Sequence, residues 1–143
     1  MRTFLLALGI CLFLPLQPVR AASKEEEGRF LAAAKAAFEK HDADALMAIT
    51  CWDRVPDKLK GSGKEYYVRD VAKTVMDISL KSPDPKFPDL EWRESDGVAY
   101  RSNLPVVKHL KITFARGQTF KDATYFVGEK DGKLYLLEPA PVK

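Results

Sequence analysis

The chain has 143 residues, 46% of them hydrophobic, with 23 Lys and Arg against 20 Asp and Glu. That length supports a single domain able to bury its own core. Charges of both signs are interspersed along it, which excludes the clustered basic face that nucleic acid or an anionic membrane surface requires.

Arg2, an unbroken apolar run from Phe4 to Leu14, and small residues at Val19, Ala21 and Ala22 together read as a secretory signal. The run is about half of the ~20 residues that a bilayer-crossing helix needs, and Pro15 and Pro18 interrupt any extension. Cleavage is expected after Ala21, with Ala22 the neighbouring alternative. Residues 1–21 are then a cleaved signal peptide, and 22–143 form one exported domain, periplasmic or secreted, with no membrane attachment after cleavage. Ile10 stands where a lipid anchor on Cys11 would need a small residue. Losing Arg2 and Arg20 takes the 23 basic residues to 21 against 20 acids, a mature net charge of +1. Cys11 leaves with the signal, so Cys51 is unpaired and no internal disulfide is expected.

Ser23 and Glu26 form a capping box, and Glu25, Glu26 and Glu27 place negative charge at the first turn of a helix predicted over 24–40. Its apolar face carries Phe30, Ala34, Ala37 and Phe38. Asp42 or Asp44 caps a second, shorter helix with Leu46, Met47 and Ile49, ending near Thr50. Pro56 suits the opening of a single helical turn through Leu59. Gly61 and Gly63 punctuate the chain, and Ser62 with Glu65 makes a capping box for a third helix. That helix carries Val68, Val71, Ala72, Val75 and Ile78 on one face and Arg69, Asp70 and Lys73 on the others. It continues until Ser82-Pro83-Asp84-Pro85 stops it.

From Leu90 the hydrophobic period changes to two. Asp96-Gly97 and Asp131-Gly132 are hairpin turns, because such pairs accept the positive φ angles that tight turns demand. The first joins strands 90–94 and 98–102, and the second, flanked by Glu129-Lys130 and Lys133-Leu134, joins the strand 119–128 to a last strand closed by Pro139 and Pro141. A strand over 106–115 lies between them. The expected architecture is α+β: three N-terminal helices packed on a curved antiparallel sheet of about five strands.

The run Ala36-Ala37-Phe38-Glu39-Lys40-His41-Asp42-Ala43-Asp44-Ala45-Leu46-Met47, followed by Trp52 and Asp53, resembles the junction of the first two helices in the nuclear transport factor 2-like superfamily. The resemblance implies a cystatin-like cone with a pocket between the helices and the concave sheet. Members include isomerases, dehydratases, cyclases, ligand carriers and adaptors. The enzymes among them place an Asp with a Tyr or a His in that pocket.

The candidate residues have structural readings beside the functional ones. His41 titrates near neutrality and suits a general base, but a histidine at a helix C-terminus is also favoured by the helix dipole. His109 falls on the Lys111 and Thr113 side of its strand, the expected wet face. Cys51 follows a helix C-terminus, which opposes thiolate formation, and reads as a small buried hydrophobe. Trp52 and Asp53 either line a pocket mouth or serve as core plug and turn acid. Tyr67 shares a face with Val71 and is the tyrosine better placed to face inward than Tyr66. The histidines lie on separate elements and no acidic cluster has ligand spacing, so neither a metal nor another cofactor is expected. The leading expectation is a non-catalytic exported module, a homodimer, binding a small apolar ligand or a protein through the cone or the sheet's outer face, with Trp52, Asp53, Tyr67 and His41 as the ligand-binding candidates. The alternative is a small lyase, isomerase or hydrolase using Asp53 with Tyr67 or His41.

Overall fold

The computed structural model describes residues 22–94 and 97–142. The expected signal peptide at 1–21 and Asp96 of the first Asp-Gly pair therefore lie outside the described residues. Three helices come first: α1 (Lys24–Glu39), α2 (Ala43–Ala48) and α3 (Asp57–Val71). Seven strands follow: β1 (Val75–Lys81), β2 (Glu91–Arg93), β3 (Ala99–Ser102), β4 (Val106–Phe114), β5 (Asp122–Lys130), β6 (Lys133–Leu136) and β7 (Pro139–Pro141).

The helix starts follow their caps. Ser23 Oγ accepts from the Glu26 amide at 3.1 Å, and Asp42 Oδ1 accepts from the Ala45 amide at 3.0 Å. Glu26 also reaches out of α1: its buried carboxylate accepts from the Leu134 amide at 2.8 Å and pairs with Arg29, which ties α1 to β6. Between α1 and α2, His41 adopts φ 53° and the Asp42 amide donates to Ala37 O at 2.8 Å.

The third helix departs from expectation at both ends. It opens at Asp57 rather than at the Ser62–Glu65 box, with Pro56 in the cap position, and it runs through Gly61 and Gly63. The reason for Gly63 is spatial, because a Cβ there would stand 3.3 Å from Glu138 Oε1 and 3.4 Å from the Trp52 ring. The helix stops at Val71, and residues 75–81, predicted to continue it, form β1. Val75 and Ile78 match the helical period, yet Ile78 pairs with Ile112 and Leu80 with Leu110 of β4. Cross-strand packing of β-branched and aliphatic residues overrides the local pattern.

Among the described residues the strands are antiparallel and form two sheets rather than the expected one, with seven strands where about five are expected. The larger is curled, with order β1-β4-β5-β6, and the smaller has order β2-β3-β7. The β5–β6 turn has Asp131 at φ 53° and Gly132 at φ 74°, as its Asp-Gly pair predicts. The last predicted strand is two. The chain leaves the larger sheet after Leu136 and enters the smaller at Pro139, so Leu137 and Glu138 form the crossover.

The core lies between the helices and the larger sheet: Phe30, Ala34 and Phe38 of α1 and Leu46 of α2 pack on Leu110, Ile112, Val127 and Leu136. Each large side chain buried there contributes about 1.5–3 kcal/mol. Leu136 and Ile49–Cys51 exchange backbone hydrogen bonds of 2.9 Å, which fixes the chain after α2 beside β6.

Candidate functional site

Strand β6 pairs with β5 only from Val127 to Lys130. The Phe126 carbonyl accepts from the Leu137 amide at 2.9 Å, and the rest of β5, from Asp122 to Tyr125, has β4 on one side and, among the described residues, no strand on the other. Helix α3 faces this free edge, and a cavity of about 490 Å³ occupies the space between them. Tyr66, Trp92, Phe120 and Leu137 supply apolar wall, and Tyr67, Asp70, Tyr125 and Glu138 supply the polar groups.

Two tyrosine–carboxyl pairs stand side by side. Tyr67, buried on α3, donates to Glu138 Oε1 at 2.8 Å and lies 3.0 Å from Thr50 Oγ1. Tyr125 donates to Asp70 Oδ2 at 2.6 Å. The two rings pack at 5.8 Å between centroids, tilted by 57°. Burial, together with the neighbouring carboxyl, pushes both hydroxyls above the ordinary phenol range. They act as donors, not as bases.

The two carboxyls differ in their surroundings. Asp70 is 3% exposed, and Arg69 Nε and Lys73 Nζ reach its Oδ1 at 3.0 and 2.8 Å. Burial alone would raise its pKa, but the hydrogen bonds from Arg69, Lys73 and Tyr125 outweigh it and hold the carboxyl below its ordinary range. Among the described residues no cation pairs with Glu138. Burial raises its pKa and the hydrogen bond from Tyr67 opposes only part of that rise. At the mouth, the Arg69 guanidinium lies over Tyr66 at 4.9 Å and over Phe120 at 5.5 Å. Lys73 Nζ stands 4.6 Å from the Phe114 ring centroid.

Asn103, fully buried between β3 and β4, positions this end of the cavity. Its side-chain amide donates to Cys51 O at 2.7 Å and Asp53 O at 3.1 Å, and its Oδ1 accepts from the Glu138 amide at 3.3 Å. Its own backbone amide donates to Glu138 O at 2.9 Å. One side chain therefore joins the segment after α2 to the crossover that carries Glu138.

Of the four residues proposed from sequence, Tyr67 lines this cavity. Trp52 is half-buried, donates Nε1 to Met47 O at 3.0 Å and lies behind Gly63. Asp53 is exposed and paired with Lys130, which holds its carboxyl below the ordinary range. His41 contacts Val71 O through Nδ1 and lines a separate recess with Phe38, Met76 and Ile78. Neither Asp53 nor His41 is hydrogen-bonded to Tyr67.

Two sequence expectations are corrected by burial. Asp70 and Lys73, placed on the polar sides of α3, are buried because Phe114, Phe120 and Tyr125 close over them. His109, expected on a wet face, is 0% exposed. The loop after β1 covers it, with the Asp84 amide donating to its Nδ1 at 3.3 Å and Phe126 edge-on to its ring. Cys51 is buried and free, as its place after α2 predicts. Sequence reasoning missed Glu138, Tyr125, Thr50 and Asn103. An acid inside the apolar stretch Leu136-Leu137-Glu138-Pro139-Ala140 was the available signal for the first.

Comparison with protein-family models, with curated proteins and with solved structures finds no match for this chain.

Proposed function

We propose that the protein is an exported module that binds a small, largely apolar ligand in the cavity between α3 and the free edge of β5. The observation that carries this reading is the cavity itself. Its volume falls within the roughly 300–1,000 Å³ of small-molecule sites, and an aromatic wall there meets a few convergent polar groups. Export rests on the apolar run from Phe4 to Leu14 and the small residues before Ala22. Helices laid against a curled antiparallel sheet are in keeping with the nuclear transport factor 2-like cone that residues 36–53 resemble.

Binding without chemistry is favoured over catalysis by the separation of the expected catalytic partners. Asp53 is held at the surface by Lys130, and His41 is turned to Val71 O, away from the cavity. An enzymatic reading instead rests on Glu138 and Tyr67, a carboxyl of raised pKa beside a hydroxyl donor.

Equilibrium dialysis with indole tests the binding reading. Saturable uptake by the purified protein, weakened at least tenfold by the combined change Tyr66→Ala and Phe120→Ala, is the expected result. Uptake that never saturates, or that ignores the two substitutions, contradicts it.

A further inference from the structure

Among the described residues the two fully buried carboxylates, Glu26 and Asp70, are neutralised from within, whereas Glu138 is half-buried in the cavity wall. Glu26 is bonded to Arg29, and Asp70 to Arg69 and Lys73. Glu138 lines the cavity with Tyr67 as the partner of its carboxyl and, among the described residues, with no ion pair. A carboxylate enclosed by apolar groups is costly unless a cation offsets it. The elements packed around it bring no cation to its carboxyl: α3 supplies Gly63 and Tyr67, the segment after α2 supplies Trp52, and the β3–β4 loop supplies Asn103. The Arg54 guanidinium donates to Asn103 O. Arg69 and Lys73 are committed to Asp70, with contacts of 3.0 and 2.8 Å to its Oδ1.

We propose that the ligand of this cavity is a primary amine with an aromatic or aliphatic body, its ammonium bound to Glu138 and its body against Trp92, Leu137 and the neighbouring wall. This inference rests on the binding reading above and names the class of ligand. Aromatic faces beside a carboxylate are the usual setting for an ammonium group.

The hydrogen bonds behind Glu138 accommodate both of its charge states. Thr50 Oγ1 lies 2.8 Å from Leu46 O and 3.0 Å from the Tyr67 hydroxyl, which lies 2.8 Å from Glu138 Oε1. These three contacts need three protons, and the two hydroxyls carry two. A neutral Glu138 supplies the third and donates toward Tyr67. When Glu138 is ionised, Tyr67 donates to it and Thr50 turns its proton to Tyr67. Leu46 O still accepts from the Ile49 amide at 3.2 Å. Ammonium binding to the neutral form therefore releases the carboxyl proton to water, and affinity rises with pH until Glu138 is ionised in the free protein.

The test is calorimetric titration of the purified protein with three probes of one shape: 2-phenylethylamine, 2-phenylethanol and 3-phenylpropionate. The amine is expected to bind at least tenfold more tightly than the alcohol, and Glu138→Gln is expected to erase that tenfold difference. Amine, alcohol and acid binding alike, or an amine preference that survives Glu138→Gln with an unchanged far-ultraviolet circular dichroism spectrum, overturns the inference and leaves the cavity a binding site. Should the glutamine variant not fold, loss of the amine preference on acidification of the wild-type protein supports the inference, and its persistence overturns it. If no probe binds, both the inference and the binding reading fail.

Discussion

Tyr67 donates to Glu138 across 71 residues of sequence, joining the middle of α3 to the crossover between the two sheets. This contact makes the cavity and the fold interdependent. The charge of Glu138 therefore has consequences for stability as well as for binding.

The folded-state pKa of Glu138 is raised above its ordinary 4.5 by burial. A raised acid contributes stability below its unfolded pKa and loses that contribution as pH rises through the folded value. The wild-type protein should lose stability relative to Glu138→Gln as pH rises from about 4.5 through that higher value. Urea midpoints of both proteins measured across this range check it, and parallel curves would contradict it.

Removing the Tyr67 hydroxyl by Tyr67→Phe takes away the hydrogen bond that holds the Glu138 pKa down. The variant should lose about 1 kcal/mol of stability, and the titration of Glu138, followed by carboxyl carbon chemical shift, should move to higher pH. A move to lower pH would show that Tyr67 does not donate to this carboxyl.

Asp70 has the opposite sign. Its folded pKa lies below the ordinary 3.8, so its contribution is present above that value and disappears as pH falls. Asp70→Asn leaves Lys73, 8% exposed, without its counter-charge. A loss of about 3 kcal/mol is expected, measured by denaturant unfolding at neutral pH. The difference from wild type should shrink on acidification.

Gly128→Ala tests the packing where β5 meets β6. The added Cβ would stand 2.9 Å from the Pro105 carbonyl and 2.8 Å from Leu137 Cδ2, and the carbonyl belongs to the backbone. A loss of about 1–3 kcal/mol is expected from such overpacking. A neutral thermal melt would mean that the β3–β4 loop can move away.

What the sequence made legible was local. Ser23 and Asp42 cap α1 and α2 through bonds spanning three residues, and Asp131-Gly132 turns its hairpin through its own φ angles. Strand β1 was hidden because Val71, Val75 and Ile78 share a helical period, while the partners that make 75–81 a strand lie 28 to 39 residues away in β4. The cavity was hidden for the same reason. Tyr67 could be identified from its face of α3, but Glu138 matters through Tyr67, and Asp70 is buried through Tyr125, 55 residues away. Asp53 and His41 were chosen for chemistry and proximity in sequence, and Lys130 and Val71 O engage them elsewhere.

The central claim is that a small ligand occupies the space between α3 and the open edge of β5. Nuclear Overhauser contacts between bound indole and the isotope-labelled protein test it most directly. The account predicts contacts from indole protons to the side chains of Trp92, Leu137 and Tyr66. Contacts to none of these three, at indole concentrations where binding is saturated, would contradict it.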